Sequence, residues 1–273
     1  MSYNIKKFQS EGLVDIPYPS DLRKLVVSAA ESWKLFCDLP RDLKDKFIYI
    51  DNTGFELKEE AGSTKDLKEN FHVTVDQISR LSAIAKGTLD TKTIKFIRDA
   101  EDLIRLAEPF ITDFADKIEK EFSIPGFKDD CLVRKNHWTV RYLHYFSDRK
   151  EGEQIASPHA DKGGFTLHLF ESAPGLQYLD YEKNWQEMPV SEGSTVIIPG
   201  MELQLKSKNK LRALCHRVIA TKDTASTGRY SMVLFVNFAN TPKYNKEGKG
   251  RMQDFAPGFN YTMPFEEFST LFI

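Results

Sequence analysis

The 273-residue chain has little cysteine: Cys37, Cys131 and Cys215 lie far apart and form no CxxC pair. That argues against a disulfide framework or a thiolate zinc site and makes a reducing cytoplasm the expected compartment. Neither sign of charge is in excess, since 38 basic and 40 acidic residues leave a formal net charge of −2. Nothing in that balance provides an electrostatic footprint for nucleic acid or an anionic membrane. No run approaches the ~18 apolar residues of a membrane span. The opening MSYNIKKFQSEGLVDIPYPS has no apolar segment of the kind a secretory leader needs. Internal repeats and low-complexity tracts are also missing. What is present is 41% hydrophobic residues, enough to bury a sizeable core in one large domain or one domain with a helical extension.

The chain changes character near residue 130. In PSDLRKLVVSAAESWKLFCDLP, Leu22, Leu25, Val26, Ala29, Ala30 and Trp33 recur at helical spacing, with Ser20 or Asp21 as N-cap and Pro40 either stopping the helix or starting the next turn. A longer helix is expected from Thr91 to Phe122. Its stripe runs Ile94, Ile97, Ala100, Ile104, Ala107, Ile111, Phe114 and Ile118, with Pro109 as a site for a kink. Between the two helices the pattern is loop and short strand. After residue 130 short, β-branched and aromatic runs take over: FTLHLF, LQYL, STVIIP, RALCHRVIAT and RYSMVLFVNF, separated by turn signals such as Pro174-Gly175 and Pro199-Gly200. This predicts a helical region, residues 1–130, packed on an antiparallel β core, residues 131–273, with no clear linker between them.

Within SPHADKGGFTLHLF, His159 and Asp161 stand two apart, so on a strand they project from one face. His216, 57 residues on, can complete a set of two imidazoles and one carboxylate. Such a set suits non-haem Fe(II), because it holds one side of the ion and leaves the other open for O2 and an organic ligand. By itself an HxD is as well explained by a surface Asp beside a hydrogen-bonded His. Thirteen residues after His216, Arg229 and Ser231 repeat the i, i+2 spacing. An arginine fork beside a hydroxyl suits bidentate capture of a carboxylate. A buried arginine is costly unless paired, and its own strand has no acid, so a bound anion is the expected partner.

The order HxD, then His, then RxS resembles the Fe(II)/2-oxoglutarate-dependent oxygenases, in the branch of isopenicillin N synthase and the plant-type dioxygenases. VRYLHYF, HADKGGFTLHLFESAPGLQYL and the stretch from Trp185 to the distal histidine are similar to segments of that branch, and DLKENFHV resembles a shorter one. The likeness is good from about 130 to 240 and faint before it. It implies a double-stranded β-helix, or jelly roll, mainly β and braced by N-terminal helices. It implies Fe(II) on His159, Asp161 and His216, with the far carboxylate of 2-oxoglutarate at Arg229 and Ser231 and help from Tyr145. The reaction implied splits 2-oxoglutarate to succinate and CO2 with O2 and oxidises a C–H bond of a small-molecule substrate. The chain departs from plant-type members in the longer IATKDTASTG loop and in Phe146-Ser147-Asp148 after the tyrosine. Two alternatives stay open: an Fe(II) oxidase of the same fold that does not use 2-oxoglutarate, and a non-catalytic jelly-roll binding protein.

The remaining histidines and charges receive structural readings. His144 should point away from the Tyr145 face, and His168 should be a core histidine satisfied by backbone. No role is assigned to His72 or His137. Cys215, next to a candidate ligand, should face away from it as a small buried hydrophobe. The runs KEEAGSTKDLKE and KYNKEGKGR are expected as solvated surface, with NKEGKG as a loop able to cover the site mouth.

Overall fold

The computed structural model describes residues 3–58 and 67–240. The expected extension of the core to residue 273, the NKEGKG loop and most of the KEEAGSTKDLKE run lie outside the described residues.

In chain order the elements are α1 (Lys7–Ser10), β1 (Val14–Pro17), α2 (Ser20–Cys37), α3 (Arg41–Lys44), β2 (Gly54–Lys58), β3 (Lys68–Thr74), α4 (Ile78–Thr88), α5 (Thr91–Phe122), α6 (Phe127–Val133) and β4 (Thr139–Tyr145). They continue with β5 (Gln154–His159), β6 (Phe165–Glu171), β7 (Leu176–Leu179), β8 (Trp185–Glu187), β9 (Ser194–Pro199), α7 (Met201–Lys206), β10 (His216–Ile219), α8 (Lys222–Thr227) and β11 (Arg229–Val236). A seven-stranded sheet has the order β1-β9-β6-β11-β4-β3-β2, and a four-stranded sheet has the order β5-β10-β7-β8. Every ladder is antiparallel. Two such sheets, braced by helices on one side, make the expected double-stranded β-helix. Three of the large sheet's strands, β1 to β3, precede residue 130, so the helical half of the sequence also supplies strands to the sheet.

Period-2 alternation divides the large sheet's residues between two faces. The outer face carries Phe71, Val73, Val140, Tyr142, Met232 and Leu234, all buried against the helices. There Phe36 of α2 lies 4.8 Å, ring to ring, from Phe96 of α5 and 5.2 Å from Phe71 of β3, tying both helices to the sheet. The long helix spans the expected residues and runs through Pro109. Asp90 caps it, its carboxylate accepting the Thr93 amide at 2.8 Å. The shorter helix differs from expectation at its start. Ser20 is its first helical residue, Pro19 takes the cap position, and no side chain caps it.

The inner face of the large sheet is laid out in rows. Lys68, Tyr145 and Arg229 are neighbours across β3, β4 and β11; Asn70, Leu143 and Ser231 form the next row, then His72, Arg141 and Val233, then Thr74, Thr139 and Phe235. On β6 the row partners are Glu171 beside Ser231, His168 beside Val233 and Thr166 beside Phe235. The step from His168 to Glu171 is three residues rather than two, because the register shifts between Met232 and Val233 and leaves Leu169 as an extra residue. This is a β-bulge. The backbone around it is held by side chains: the Tyr18 hydroxyl donates to the Leu169 carbonyl at 2.8 Å and Thr195 to the His168 carbonyl at 3.1 Å.

Candidate metal centre and cosubstrate pocket

His159 and Asp161 do not share a strand, contrary to the expectation. His159 ends β5, and Asp161 lies in the loop that leads to β6. That loop is fixed by close backbone packing. The Asp161 carbonyl accepts the Met201 amide at 2.8 Å, and a Cβ at Gly200 would sit 2.2 Å from the Gly163 carbonyl oxygen. Only glycine permits such an approach. His216 begins β10 and stands directly opposite His159 in the β5–β10 ladder.

The three side chains nevertheless converge. Their nearest ligand-type atoms all lie within 4.8 Å of one another. Each histidine Nε2 is 4.0 Å from Asp161 Oδ1. Both Nδ1 atoms face backbone carbonyls, His159 that of Ser157 at 2.7 Å and His216 that of Leu214 at 3.1 Å. A carbonyl can only accept, so Nδ1 carries the proton and the Nε2 lone pairs turn toward Asp161. Thr166 donates to Asp161 Oδ2 at 2.5 Å, which orients the carboxylate and leaves Oδ1 toward the imidazoles. Burial, with His159 beside it, drives the His216 imidazole far below its ordinary range and keeps it neutral. Burial alone would push the Asp161 carboxyl up, but His216, His159 and Thr166 outweigh it and hold the carboxyl below its usual range. A neutral imidazole at His216 and an ionised carboxylate at Asp161 are states a divalent cation requires. The donor set fits Fe(II).

Two cavities meet at this cluster. One, of about 340 Å³, contains Tyr145, Arg229, Ser231, His168 and His216. The other, of about 710 Å³, contains Tyr49, His72, Thr74 and Arg134, and both are bounded by Arg141, His159, Asp161 and Phe235. Arg229, Ser231 and Tyr145 are therefore brought together, as the sequence suggested. Arg229 is 1% exposed, so its charge is fully desolvated. Its partner differs from expectation, because the Glu171 carboxylate of β6 forms an ion pair with it. Arg229's own strand carries no acid. The neighbouring strand supplies one, since the bulge at Leu169 turns Glu171 inward where unbroken alternation would have placed Phe170.

His168 is also corrected. It is buried in the smaller cavity, and neither ring nitrogen has a hydrogen-bond partner among the described residues. Its Nδ1 is 3.7 Å from Glu171, and its ring centre is 5.7 Å from that of His216. His72, given no role from sequence, lines the larger cavity. Burial, aided by the Arg141 charge, pushes its pKa down to about 2, so it is neutral. His144 faces away from the cavity, as expected, and its Nδ1 lies 2.8 Å from Glu69 on the outer side. Cys37 completes a second convergence of ligand-type groups there. In that cluster the Lys44 ammonium, 2.7 Å from Glu69, already neutralises the carboxylate. Cys215 is buried, and burial raises its thiol pKa.

Two imidazoles and a carboxylate beside an open cavity, inside a double-stranded β-helix, define a non-haem iron type of centre. The comparisons agree. Residues 131–238 match the model of the 2OG-Fe(II) oxygenase superfamily, so this segment carries a domain of that superfamily. It is 24% identical over 233 residues to a 2-oxoglutarate-dependent dioxygenase of Didymella fabae, covering 76% of this chain and 70% of that protein. It is 28% identical over 229 residues to kihadalactone A synthase LFS of Citrus sinensis, covering 72% and 66%. A 2OG-Fe(II) oxygenase family protein of Caulobacter crescentus superposes with a TM-score of 0.72 at 21% identity, over 97% of this chain and 91% of that one. A Neurospora crassa protein solved with alpha-KG superposes with a TM-score of 0.70 at 19% identity, over 88% and 79%.

Proposed function

We propose that the chain couples the O2-dependent decarboxylation of 2-oxoglutarate to oxidation of a C–H bond in a small molecule. His159, Asp161 and His216 hold Fe(II), and the observation that carries this is the convergence of two Nε2 lone pairs and Asp161 Oδ1 where two cavities meet. The iron supplies the site for O2 activation. The chain's own residues do the rest. The smaller cavity receives 2-oxoglutarate, with its far carboxylate against Arg229 and Ser231 and with Tyr145 alongside. Thr166 and the two backbone carbonyls hold the ligand atoms in place. The aliphatic wall of Leu143, Leu176, Val218 and Val233 excludes water around the cosubstrate.

The larger cavity is the substrate chamber, and its size suits a small organic molecule. A further structure of the Neurospora crassa protein contains thymine, which supports a substrate of that scale. The near-neutral charge offers nothing for nucleic acid. Among the described residues no helix is long and apolar enough to cross a membrane. Three free, buried cysteines fit a reducing cytoplasm. The sequence halves on either side of residue 130 work as one unit, since β3 supplies His72 and Thr74 to the substrate chamber. The test is anaerobic addition of 2-oxoglutarate to the Fe(II)-loaded protein, followed by succinate release on admitting O2. Failure to form succinate would refute this function.

A further inference from the structure

The inner face of the large sheet carries two arginines on adjacent strands, Arg229 on β11 and Arg141 on β4. Their rows are four residues apart, since Arg229 pairs with Tyr145 and Arg141 with Val233. At about 3.3 Å per residue the rows are separated by roughly 13 Å. A five-carbon diacid anchored at Arg229 by one carboxylate and turned toward His159, Asp161 and His216 with the other leaves no carboxylate for Arg141. Arg141 therefore needs a partner other than the cosubstrate.

Among the described residues Arg141 has no such partner. Its Nε is shut off from solvent and makes no hydrogen bond, and no carboxylate among the described residues forms an ion pair with it. Its guanidinium lies over the Phe235 ring, 4.8 Å from the centroid. Cation–π contact offsets part of the desolvation but leaves the in-plane N–H donors unused. Those donors belong to a residue that bounds both cavities, beside His159 and Asp161. The neighbours on its row and the next, His72 and Thr139, are polar and uncharged and provide no competing anion. A guanidinium fork with free in-plane donors matches the two oxygens of a carboxylate.

Resting on the assignment of the smaller cavity to 2-oxoglutarate, we infer that the substrate is itself a carboxylate, held by Arg141 with its adjoining carbon skeleton against Phe235. Arg141 is then the specificity-determining residue of the larger cavity. The reaction sequence that meets this enzyme must deliver a small organic acid with a C–H bond within reach of the metal.

The test uses the full chain loaded with Fe(II) and saturating 2-oxoglutarate under argon. Phenylacetate and hydrocinnamate, each beside its primary amide, are titrated by calorimetry. The acids should bind at least about tenfold more tightly than the amides, as expected for a charge-assisted fork against a neutral contact. Arg141→Gln should erase that preference, and Arg141→Lys should keep part of it. Both variants should still form the Fe(II)–2-oxoglutarate absorbance band, since His159, Asp161, His216 and Arg229 are intact. Equal binding of acid and amide, a preference that survives Arg141→Gln, or no binding of either acid at millimolar concentration would overturn the inference. Those results leave the 2-oxoglutarate reading standing. That reading fails separately, if wild-type protein shows no Fe(II)–2-oxoglutarate absorbance before any acid is added.

Discussion

Glu171→Gln tests the cosubstrate pocket at its least expected point. Arg229 is 1% exposed and already paired with the Glu171 carboxylate, so a second carboxylate must displace Glu171 or share the fork with it. Breaking a buried ion pair by removing one partner costs about 3–5 kcal/mol. A glutamine amide oxygen still accepts one hydrogen bond from the guanidinium, so about half of that cost remains in the variant, ~1.5–2.5 kcal/mol. An arriving carboxylate recovers it and no longer meets a like charge. Each 1.4 kcal/mol is tenfold in affinity, so 2-oxoglutarate should bind Glu171→Gln roughly ten- to a hundredfold more tightly than wild type. The ligand-free variant should melt lower than wild type, and saturating 2-oxoglutarate should raise its Tm by more. Calorimetry with the Fe(II)-loaded protein under argon and a thermal-shift series measure both. If 2-oxoglutarate binds the variant no more tightly than wild type, Glu171 is not a competitor for Arg229 and the reasoning fails.

Other outcomes follow from the same contacts. Arg229→Ala should raise the 2-oxoglutarate requirement at least about a hundredfold, while Ser231→Ala should cost only ~1 kcal/mol; titrations under argon separate the two. Phe36→Ala, which empties the ring cluster between α2, α5 and β3, should cost about 3–5 kcal/mol in denaturant unfolding and leave metal stoichiometry unchanged in the folded fraction. Glu69 gives a pH prediction. Burial would raise its carboxyl, but His144 and Lys44 outweigh that and lower its pKa in the folded state. A lowered folded pKa contributes stability that is complete above the ordinary 4.5 of glutamate and is lost as pH falls through the folded value. Wild type should therefore lose Tm more steeply than Glu69→Gln on acidification below that range, and parallel curves would remove Glu69 from the account.

The sequence made the β core legible because its strands are short alternating runs bounded by turn residues. LQYL and STVIIP coincide with β7 and β9 to the residue. The long helix was equally legible, since eight stripe positions at helical spacing leave no competing period. The strand β5 was missed because Gln154–His159 contains proline and polar residues and reads as a loop. For the same reason the strand ends at His159 instead of beginning there. Convergence of His159 with Asp161 then rests on the packed Gly163–Gly200 crossing, which no alternation rule describes. Glu171 was hidden by one extra residue at Leu169, for bulges leave no mark on an apolar–polar pattern. Arg141 and His72 became visible as cavity residues only when β3 was found beside β4, a pairing across about seventy residues that local pattern cannot supply.

The most direct test of the central claim is the visible absorbance formed when Fe(II) and then 2-oxoglutarate are added to the protein without O2. The account predicts a charge-transfer band that saturates at one Fe(II) and one 2-oxoglutarate per chain, disappears in His216→Ala and Asp161→Ala, and persists with a weakened midpoint in Arg229→Ala. A wild-type protein that gives no band, or a band that survives loss of His216 and Asp161, would contradict it.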